Sequence, residues 1–163
     1  MITLARAIPG DEDAIASLCA GIDEFYGDTP QGSPGERARA VGEALFGDPP
    51  AAHALIARDD EVLAGFASYS FLWPAAGLTT SLYLKELYVA EPYRRSGLGK
   101  ALMDELYRIA AERGCSRVEW TTDQDNPSAQ AFYEALGAKP KTSKIFYRAD
   151  GETLTGEGGA VSS

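Results

Sequence analysis

The chain has 163 residues, of which 45% are hydrophobic and 24% are charged, and it carries a formal net charge of −9. This size and composition predict one globular domain with a substantial core, and no apolar run approaches the roughly 18 residues that a membrane span needs. The acidic balance disfavours nucleic acid as a partner, because nucleic acids select basic faces.

The cysteines and the single histidine argue against several kinds of site. Cys19 and Cys115 lie far apart in apolar helical surroundings, which predicts reduced thiols and not a disulfide. His53 is the only histidine and is expected to open a strand. With no other histidine, neither a zinc cluster nor a Ser/His/Asp triad built around another His can be assembled, so we expect no metal. Residues 1–6 lack the basic and apolar regions of a signal peptide, and we therefore expect a cytoplasmic protein.

Hydrophobic periodicity predicts an alternating α/β chain. In the first half we expect two helices, from Asp11 to about residue 25 and over 36–46, and strands over 2–8, 54–58, 62–73 and 82–89. In the second half we expect a helix from Leu98 to Gly114, a strand around Val118 and Trp120, a helix after Asn126 and a last strand over 144–148. The domain is expected to span residues 1–149, followed by a disordered tail over 150–163 that is rich in glycine and ends in serines.

The segment after the strand at 82–89 is the most informative. A short turn at Glu91-Pro92 leads into residues 94–100, Arg94-Arg95-Ser96-Gly97-Leu98-Gly99-Lys100, which open a helix. A strand, a glycine-bearing turn and a helix N-terminus together form a concave set of free backbone N–H groups, which suits a polyanion. Two arginines and a lysine add positive potential. The 94–100 loop therefore predicts a pyrophosphate site, the plain alternative being a glycine-rich helix cap with solvated arginines.

The spacing of this loop does not fit two common nucleotide motifs. A Walker loop needs four residues between its glycines and a Ser or Thr after the Lys, whereas Gly97 and Gly99 are too close and Ala101 follows Lys100. A dinucleotide fingerprint needs a third glycine where Leu102 stands.

A second motif begins at Asn126. Asn is a good N-cap, Pro127 suits the first helical position and Gly137 ends the run. One face of this short helix is apolar at the spacing i, i+3, i+4 and i+7, through Ala129, Phe132, Tyr133 and Leu136. Taken alone, this pattern makes Tyr133 a core aromatic residue.

These two motifs, in this order and with a helix and a strand between them, resemble those of the Gcn5-related N-acetyltransferase (GNAT) superfamily. Within it the chain looks most like the diamine and thialysine acetyltransferases, which share the Gly-Phe-Ala-x-Tyr-x-Phe strand found at residues 65–71. The resemblance covers about residues 2–148. It implies an α/β (α+β) fold, with a mixed, mostly antiparallel central sheet of six to seven strands flanked by about four helices.

The resemblance also implies acetyl-CoA as co-substrate, with loop amides on its pyrophosphate and the preceding strand paired with its pantetheine arm. The residues so implied are Leu87, Tyr88, Val89, Arg94, Arg95, Ser96, Gly97, Leu98, Gly99, Lys100, Asn126, Ala129 and Tyr133. Tyr133 would be the general acid for the departing thiolate, and the N–H of Val89 would stabilise the oxyanion. Transfer would be direct, without an acyl-enzyme.

A carboxylate can serve as general base for an amine. Glu86 is the first candidate, because it stands on the strand that ends at the acetyl group, and Glu24 and Asp123 are alternates. The plain alternative for Glu86 is an exposed strand residue paired with a cation. Where the look-alikes carry two consecutive acids this chain has Lys85-Glu86, which removes a carboxylate thought to meet the substrate amine.

The acceptor is expected to be the primary amine of a small cationic molecule, a diamine, polyamine or amino-acid-like compound. Residues 23–28 interleave acids with aromatics where the family builds its acceptor site, and such residues suit a cation through charge and cation–π contact. The candidate acceptor residues are Glu24, Tyr26, Glu86 and Asp123. Acetylation of a protein N-terminus or lysine, and a non-catalytic acyl-CoA-binding regulator, remain alternatives. Many members of the family are dimers, so a homodimer is also expected.

Overall fold

The computed structural model describes residues 1–156, which form two compact units, one of residues 1–122 and one beginning at Asp123. The first unit contains β1 (Ile2–Arg6), α1 (Glu12–Phe25), α2 (Pro34–Phe46), β2 (His53–Asp59), β3 (Val62–Leu72), β4 (Ser81–Val89), α3 (Leu98–Glu112) and β5 (Arg117–Glu119). The second unit contains α4 (Pro127–Ala135) and α5 (Glu152–Thr155). Each element predicted up to α4 is present, with ends that differ by a few residues, as helix and strand ends commonly do.

The sheet of the first unit has five strands in the order β1-β2-β3-β4-β5. The first three pairings are antiparallel and β4 pairs with β5 in parallel. A mixed, mostly antiparallel sheet with flanking helices is the fold that the motifs predicted, and the fold class is confirmed. The parallel pairing of β4 and β5 follows from the α3 crossover between them, since parallel neighbours need a long connection.

The predicted count of six to seven strands was too high, because residues 144–148 form no strand in the described chain. The apolar side chains there are exposed, with 75% of Ile145, 62% of Phe146 and 84% of Tyr147 accessible. Strand propensity alone does not make a strand, because the state depends on hydrogen bonds to a neighbour and on a face to bury. Residues 1–156 contain five α-helices and not about four, because α5 lies in the predicted tail. Residues 157–163 of that tail lie outside the described residues, and the domain boundary at 149 stays a prediction.

The sheet is covered on both faces. On one face, residues of α1 pack on apolar side chains of the middle strands, and this core includes Ile15, Ile22, Ile56 and Phe66. On the other face lies α3, whose predicted apolar stripe of Leu98, Leu102, Leu106 and Ile109 is buried. Each such side chain stabilises the fold by roughly 1.5–3 kcal/mol when fully buried, so both ends of α3 are held against the sheet.

Two irregularities in β4 position the site. The register between β3 and β4 shifts, so that Glu86 lies opposite Ser68 and Leu84 lies opposite Tyr69, which leaves Lys85 as the extra residue of a bulge. In addition, β5 pairs with β4 only from Ser81 to Tyr83. Beyond that point β5 leaves the outer edge of β4 unpaired, and this edge leads directly into the 94–100 loop.

Candidate active site

The head of α3 presents a run of unpaired backbone donors. The N-cap, Gly97, has φ of +84° and α3 has no side-chain cap. The first helical hydrogen bond is donated by Ala101 N to Gly97 O, at 3.0 Å. Among residues 1–156, the six N–H groups from Arg95 to Lys100 donate to no backbone or side-chain acceptor of the protein. This is the set of free N–H groups that the loop sequence predicted.

The local sequence explains why these donors stay free. Ser96 is the side chain best suited to capping, but its hydroxyl donates back to the carbonyl of Tyr93. Arg95 and Gly97 both adopt positive φ, at +63° and +84°, whereas the residues that follow each of them do not. This alternation makes successive N–H groups converge. The helix dipole adds about half a positive charge at this end. A pyrophosphate would meet both the donors and this charge.

The three cations of the loop are oriented differently from one another. Arg94 Nε donates to the carbonyl of Val89 at 3.0 Å, and its guanidinium lies 4.6 Å from the centre of the Phe25 ring. Lys100 Nζ pairs with Asp104 at 2.7 Å, one turn further along α3. Arg95 is exposed and forms no ion pair with any described residue. Arg94 therefore ties the end of β4 to α1, whereas Arg95 is available to an anion.

The unpaired edge of β4 carries outward-facing backbone groups. Ala90 N donates to Ala64 O at 2.9 Å, so these residues form a hydrogen-bonded pair of the antiparallel ladder. The next pair, Gly65 and Val89, is then of the kind whose N–H and C=O groups point away from the partner strand. The same alternation turns the N–H and C=O groups of Leu87 outward. An extended ligand arm could pair with β4 here as an additional strand would.

Glu86 is half-buried and lies on the α1 side of the sheet, where it interacts electrostatically with Asp23 and Cys19. Burial raises the pKa of its carboxyl group, the negative charge of Asp23 raises that pKa further, and Lys85 lowers it. No other residue of the described chain hydrogen-bonds to this carboxylate or forms an ion pair with it. A carboxylate with a raised pKa and free oxygens suits a general base.

The end of α1 contributes residues that sequence reasoning missed. Glu24 and Tyr26, two of the four predicted acceptor residues, are both exposed. Phe25 instead makes an edge contact with Tyr88 of β4, with 6.4 Å between ring centres. Asp23, which interacts with Glu86, forms an ion pair with Arg37 of α2 at 3.5 Å. Helical spacing carried the signal, since Cys19 and Asp23 are four residues apart and so share the face of α1 that faces Glu86.

The second unit contains the other predicted residues. Asn126 caps α4, its Oδ1 accepting from Ala129 N at 3.1 Å, as predicted. Tyr133 is half-buried, with its ring 5.2 Å from that of Phe132. Asp123 contributes its backbone carbonyl, which accepts from Gln130 Nε2 at 2.9 Å. The structure thus brings Glu86, Val89 and the loop donors together in the first unit, and Asp123, Asn126, Ala129 and Tyr133 in the second.

Two other kinds of site are absent from the part of the chain that the structure describes. No group of three or more His, Cys, Asp and Glu side chains there is arranged to hold a metal ion. No helix of the same residues is both long and apolar enough to cross a membrane.

Sequence comparison identifies relatives that act on amines. Over 81 residues the chain is 36% identical to L-ornithine N5-acetyltransferase of Arabidopsis thaliana, a match that covers 50% of this chain and 36% of that enzyme. Over 150 residues it is 27% identical to thialysine N-epsilon-acetyltransferase of Bos taurus, with 86% of each chain covered. The look-alike group inferred from the motifs is therefore confirmed among the relatives.

Solved structures share the fold. An integron cassette protein from the mobile metagenome of V. cholerae superimposes with a TM-score of 0.87 at 26% identity, over 96% of this chain and 97% of that one. The aminoglycoside N-acetyltransferase AAC(6')-Iy, solved in complex with CoA, gives a TM-score of 0.73 at 20% identity, over 91% and 95% of the two chains.

A family model covers most of the candidate site. The model described as the acetyltransferase (GNAT) family matches residues 20–138, a range that includes the end of α1, β4, the 94–100 loop and α4. The chain therefore belongs to the acetyltransferase (GNAT) family.

Proposed function

We propose that this chain is an acetyl-CoA-dependent N-acetyltransferase that moves an acetyl group directly to a primary amine of a small cationic molecule. One observation carries the proposal. Six free backbone donors at the head of α3 directly follow a strand that carries a half-buried carboxylate of raised pKa, Glu86. The first feature suits the diphosphate of a thioester carrier, and the second suits proton removal from an ammonium group.

Acetyl-CoA would bind along β4 and the 94–100 loop. The N–H groups of residues 95–100 would hold the pyrophosphate, with the Arg95 side chain as its nearest free cation. The outward N–H and C=O groups of Leu87 would pair with an amide of the pantetheine arm, as in β-strand addition, which leaves the N–H of Val89 for the oxyanion. Asn126 and Ala129 at the head of α4 complete the proposed cofactor set.

The chemistry needs an amine in its neutral form. A primary amine has a pKa near 10, so its deprotonation at neutral pH costs on the order of 4–5 kcal/mol. Glu86 would take this proton, directly or through water, and the amine nitrogen would then attack the thioester carbonyl. The N–H of Val89 would donate to the developing oxyanion. Tyr133 would protonate the leaving thiolate, which closes the proton balance without an acyl-enzyme.

The proposed acceptor follows from the charge near Glu86. Asp23 and Glu24 at the end of α1 and Glu86 on β4 are carboxylates, and Phe25 and Tyr26 add aromatic faces. This combination favours a cation through charge and cation–π contact. The relatives named for L-ornithine and thialysine point to the same class. Because Lys85 replaces one of two acids, we expect an amino-acid-like amine and not a long polyamine.

A homodimer and a cytoplasmic location belong to the same proposal. Ile145, Phe146 and Tyr147 are consecutive, apolar and exposed, and a strand-like segment of this kind is suited to pairing with a second copy. The two free cysteines agree with a reducing compartment.

The net charge of −9 makes nucleic acid a poor partner. Light scattering at several protein concentrations, on wild type and on Phe146→Glu, tests the dimer: a monomeric wild type would contradict it.

The decisive experiment measures thiol release from acetyl-CoA with a panel of amines, after calorimetry has tested CoA binding. We expect turnover at the side-chain amine of ornithine, lysine or thialysine, and none with norvaline, which keeps ornithine's carbon chain and α-amine but lacks the side-chain amine. Turnover on peptide N-termini or peptide lysines alone would favour a protein acetyltransferase. CoA binding without turnover on any amine would favour a non-catalytic binder, and absence of CoA binding would remove the proposal.

A further inference from the structure

A cleft with a volume of about 310 Å³ lies between the C-terminal half of α3 and the sheet. It is on the α3 face, opposite the face from which Glu86 meets α1. It also lies toward the other end of α3 from the 94–100 loop, and the 15 residues of α3 span roughly 22 Å. The polar side chains that line the cleft are Arg6, Tyr69, Glu105, Arg108, Glu112 and Arg113. The proposed acetyl transfer uses none of them.

Tyr69 gives the cleft an unsatisfied hydroxyl group. The residue is 1% exposed, and the polar side chain that approaches its Oη is that of Arg6, which can only donate, so the hydroxyl proton has no acceptor among the described residues. Leaving a buried hydroxyl unpaired costs about 1–3 kcal/mol, so nearly all such groups in folded proteins have a partner. Burial raises the pKa of Tyr69, although nearby Arg6 and Arg113 lower it in part. The hydroxyl therefore stays protonated at neutral pH and can donate to a ligand.

The cations of the cleft are not all neutralised. Arg108 is paired with both Glu105 and Glu112, so neither carboxylate pairs with Arg6 or Arg113. Arg6 and Arg113 form no ion pair with any residue between 1 and 156. The Nη2 of Arg6 lies 3.1 Å from Nδ1 of His53, and the guanidinium of Arg113 lies 4.2 Å from the centre of the Phe71 ring.

The same two arginines affect the pKa of His53. Burial lowers the pKa of its imidazole, and the charges of Arg6 and Arg113 lower it further. A lowered pKa favours the neutral imidazole, which adds no charge to the cleft. With three arginines and two glutamates in its lining, the cleft carries one net positive charge in a chain whose net charge is −9.

We propose that this cleft binds a small oxyanion, a carboxylate or a phosphate group, which accepts a hydrogen bond from Tyr69 and balances the charges of Arg6 and Arg113. The C-terminal end of α3 opposes an anion with about half a negative charge. Three arginines against two glutamates leave the lining one net positive charge, which exceeds that half charge. The carboxylates of Glu105 and Glu112 are turned to Arg108. The site explains both the orphaned hydroxyl and the unneutralised arginines.

The test titrates inorganic phosphate, and separately malonate, into the full chain by calorimetry at fixed ionic strength. We expect saturable binding of at least one of these anions. Binding of phosphate would indicate a phosphate ligand, and binding of malonate would indicate a carboxylate ligand. Arg113→Gln should weaken binding by roughly tenfold or more, since it removes a charge-assisted hydrogen bond. Tyr69→Phe should weaken binding by about fivefold. It should change the unfolding temperature little, because it deletes a hydroxyl whose proton has no acceptor.

Two control variants show whether anion binding is specific to this cleft. Arg39→Gln on α2 removes the same charge from an exposed position and should leave anion binding unchanged. Arg95→Gln lies in the 94–100 loop, whose free donors offer phosphate a second site, and should leave unchanged the binding that depends on Arg113. The proposal is overturned if neither anion binds saturably, or if Arg39→Gln and Arg113→Gln weaken anion binding equally. It is also overturned if Arg95→Gln is the one variant that weakens anion binding. None of these outcomes depends on acetyl transfer, so this proposal can fail while the proposed function holds, and the reverse.

Discussion

The carboxylate of Asp23 on α1 lies close enough to that of Glu86 on β4 to raise its pKa. Burial of Glu86 acts in the same direction and is the larger cause, while Lys85 opposes both. The protonation of the proposed base is therefore controlled by two neighbours of opposite sign, one on the facing helix and one in the adjacent bulge of β4. Each neighbour can be neutralised by a single substitution.

The first prediction concerns the pH dependence of catalysis. Glu86 acts as a base only when ionised, so activity should fall as the pH drops through its pKa. Asp23→Asn removes a charge that raises this pKa, so the acidic limb of kcat/KM should move to lower pH. Lys85→Met removes a charge that lowers the pKa, so the limb should move to higher pH. The measurement is a pH profile of thiol release from acetyl-CoA.

Asp13→Asn is the matched control for this pair of variants. Asp13 is exposed in the first turn of α1 and is not among the groups that shift the pKa of Glu86. Its acidic limb should coincide with that of wild type. If the acidic limbs of all three variants move by the same amount relative to wild type, or if none of them moves, Glu86 is not the titrating base.

Local features of the site were predictable from the sequence, whereas its tertiary contacts were not. Gly97 in a left-handed conformation and the Asn126 cap depend on residues within one turn, so the helix heads could be predicted. The direction of Arg94 depends on Phe25, which lies 69 positions earlier, and no periodicity encodes that contact. Residues 144–148 have strand-like composition but no hydrogen-bonded neighbour strand in the described chain, and only the structure reveals this.

The second prediction tests the proposed general acid. Tyr133→Phe removes one hydroxyl and keeps the ring beside Phe132. Loss of a general acid should lower kcat by roughly 10²–10⁴-fold while CoA affinity stays nearly unchanged. Tyr147→Phe deletes a hydroxyl from a residue that is 84% exposed and should leave kcat intact. Steady-state kinetics with calorimetry of CoA decides the matter, and unchanged turnover would exclude Tyr133 from the acid role.

The third prediction compares alanine substitutions at two glycines with positive φ, one in the 94–100 loop and one after the end of α3. Gly97 has φ of +84° and Gly114 has φ of +72°, and an added Cβ would meet no atom within 4 Å at either position. Alanine at each should therefore cost about 1 kcal/mol through the left-handed backbone alone. Only Gly97→Ala should also weaken CoA binding, by several-fold, because it disturbs the free donors. Denaturant unfolding and CoA calorimetry on both variants test this, and equal CoA affinities would contradict it.

The fourth prediction concerns the contact between β3 and the head of α3. A Cβ on Gly65 would lie 3.2 Å from Leu102 Cδ1, 3.2 Å from the carbonyl oxygen of Tyr88 and 3.3 Å from Leu98 Cδ2. The leucine side chains can yield, but the Tyr88 carbonyl is backbone of β4 and cannot move alone. Gly65→Ala should therefore destabilise the fold by about 1–3 kcal/mol, as overpacking does. Because Val89 lies opposite Gly65, the same shift should raise the KM for acetyl-CoA.

Gly21→Ala in α1 provides the contrast for that variant. A Cβ there meets nothing within 4 Å and the backbone φ is not positive, so replacing a helical glycine should stabilise the fold by up to about 1 kcal/mol. Its KM for acetyl-CoA should match that of wild type. Thermal unfolding should thus shift in opposite directions for the two variants, and only Gly65→Ala should change the KM. A Gly65→Ala protein with normal KM would show that close packing of β3 on α3 does not position the cofactor edge of β4.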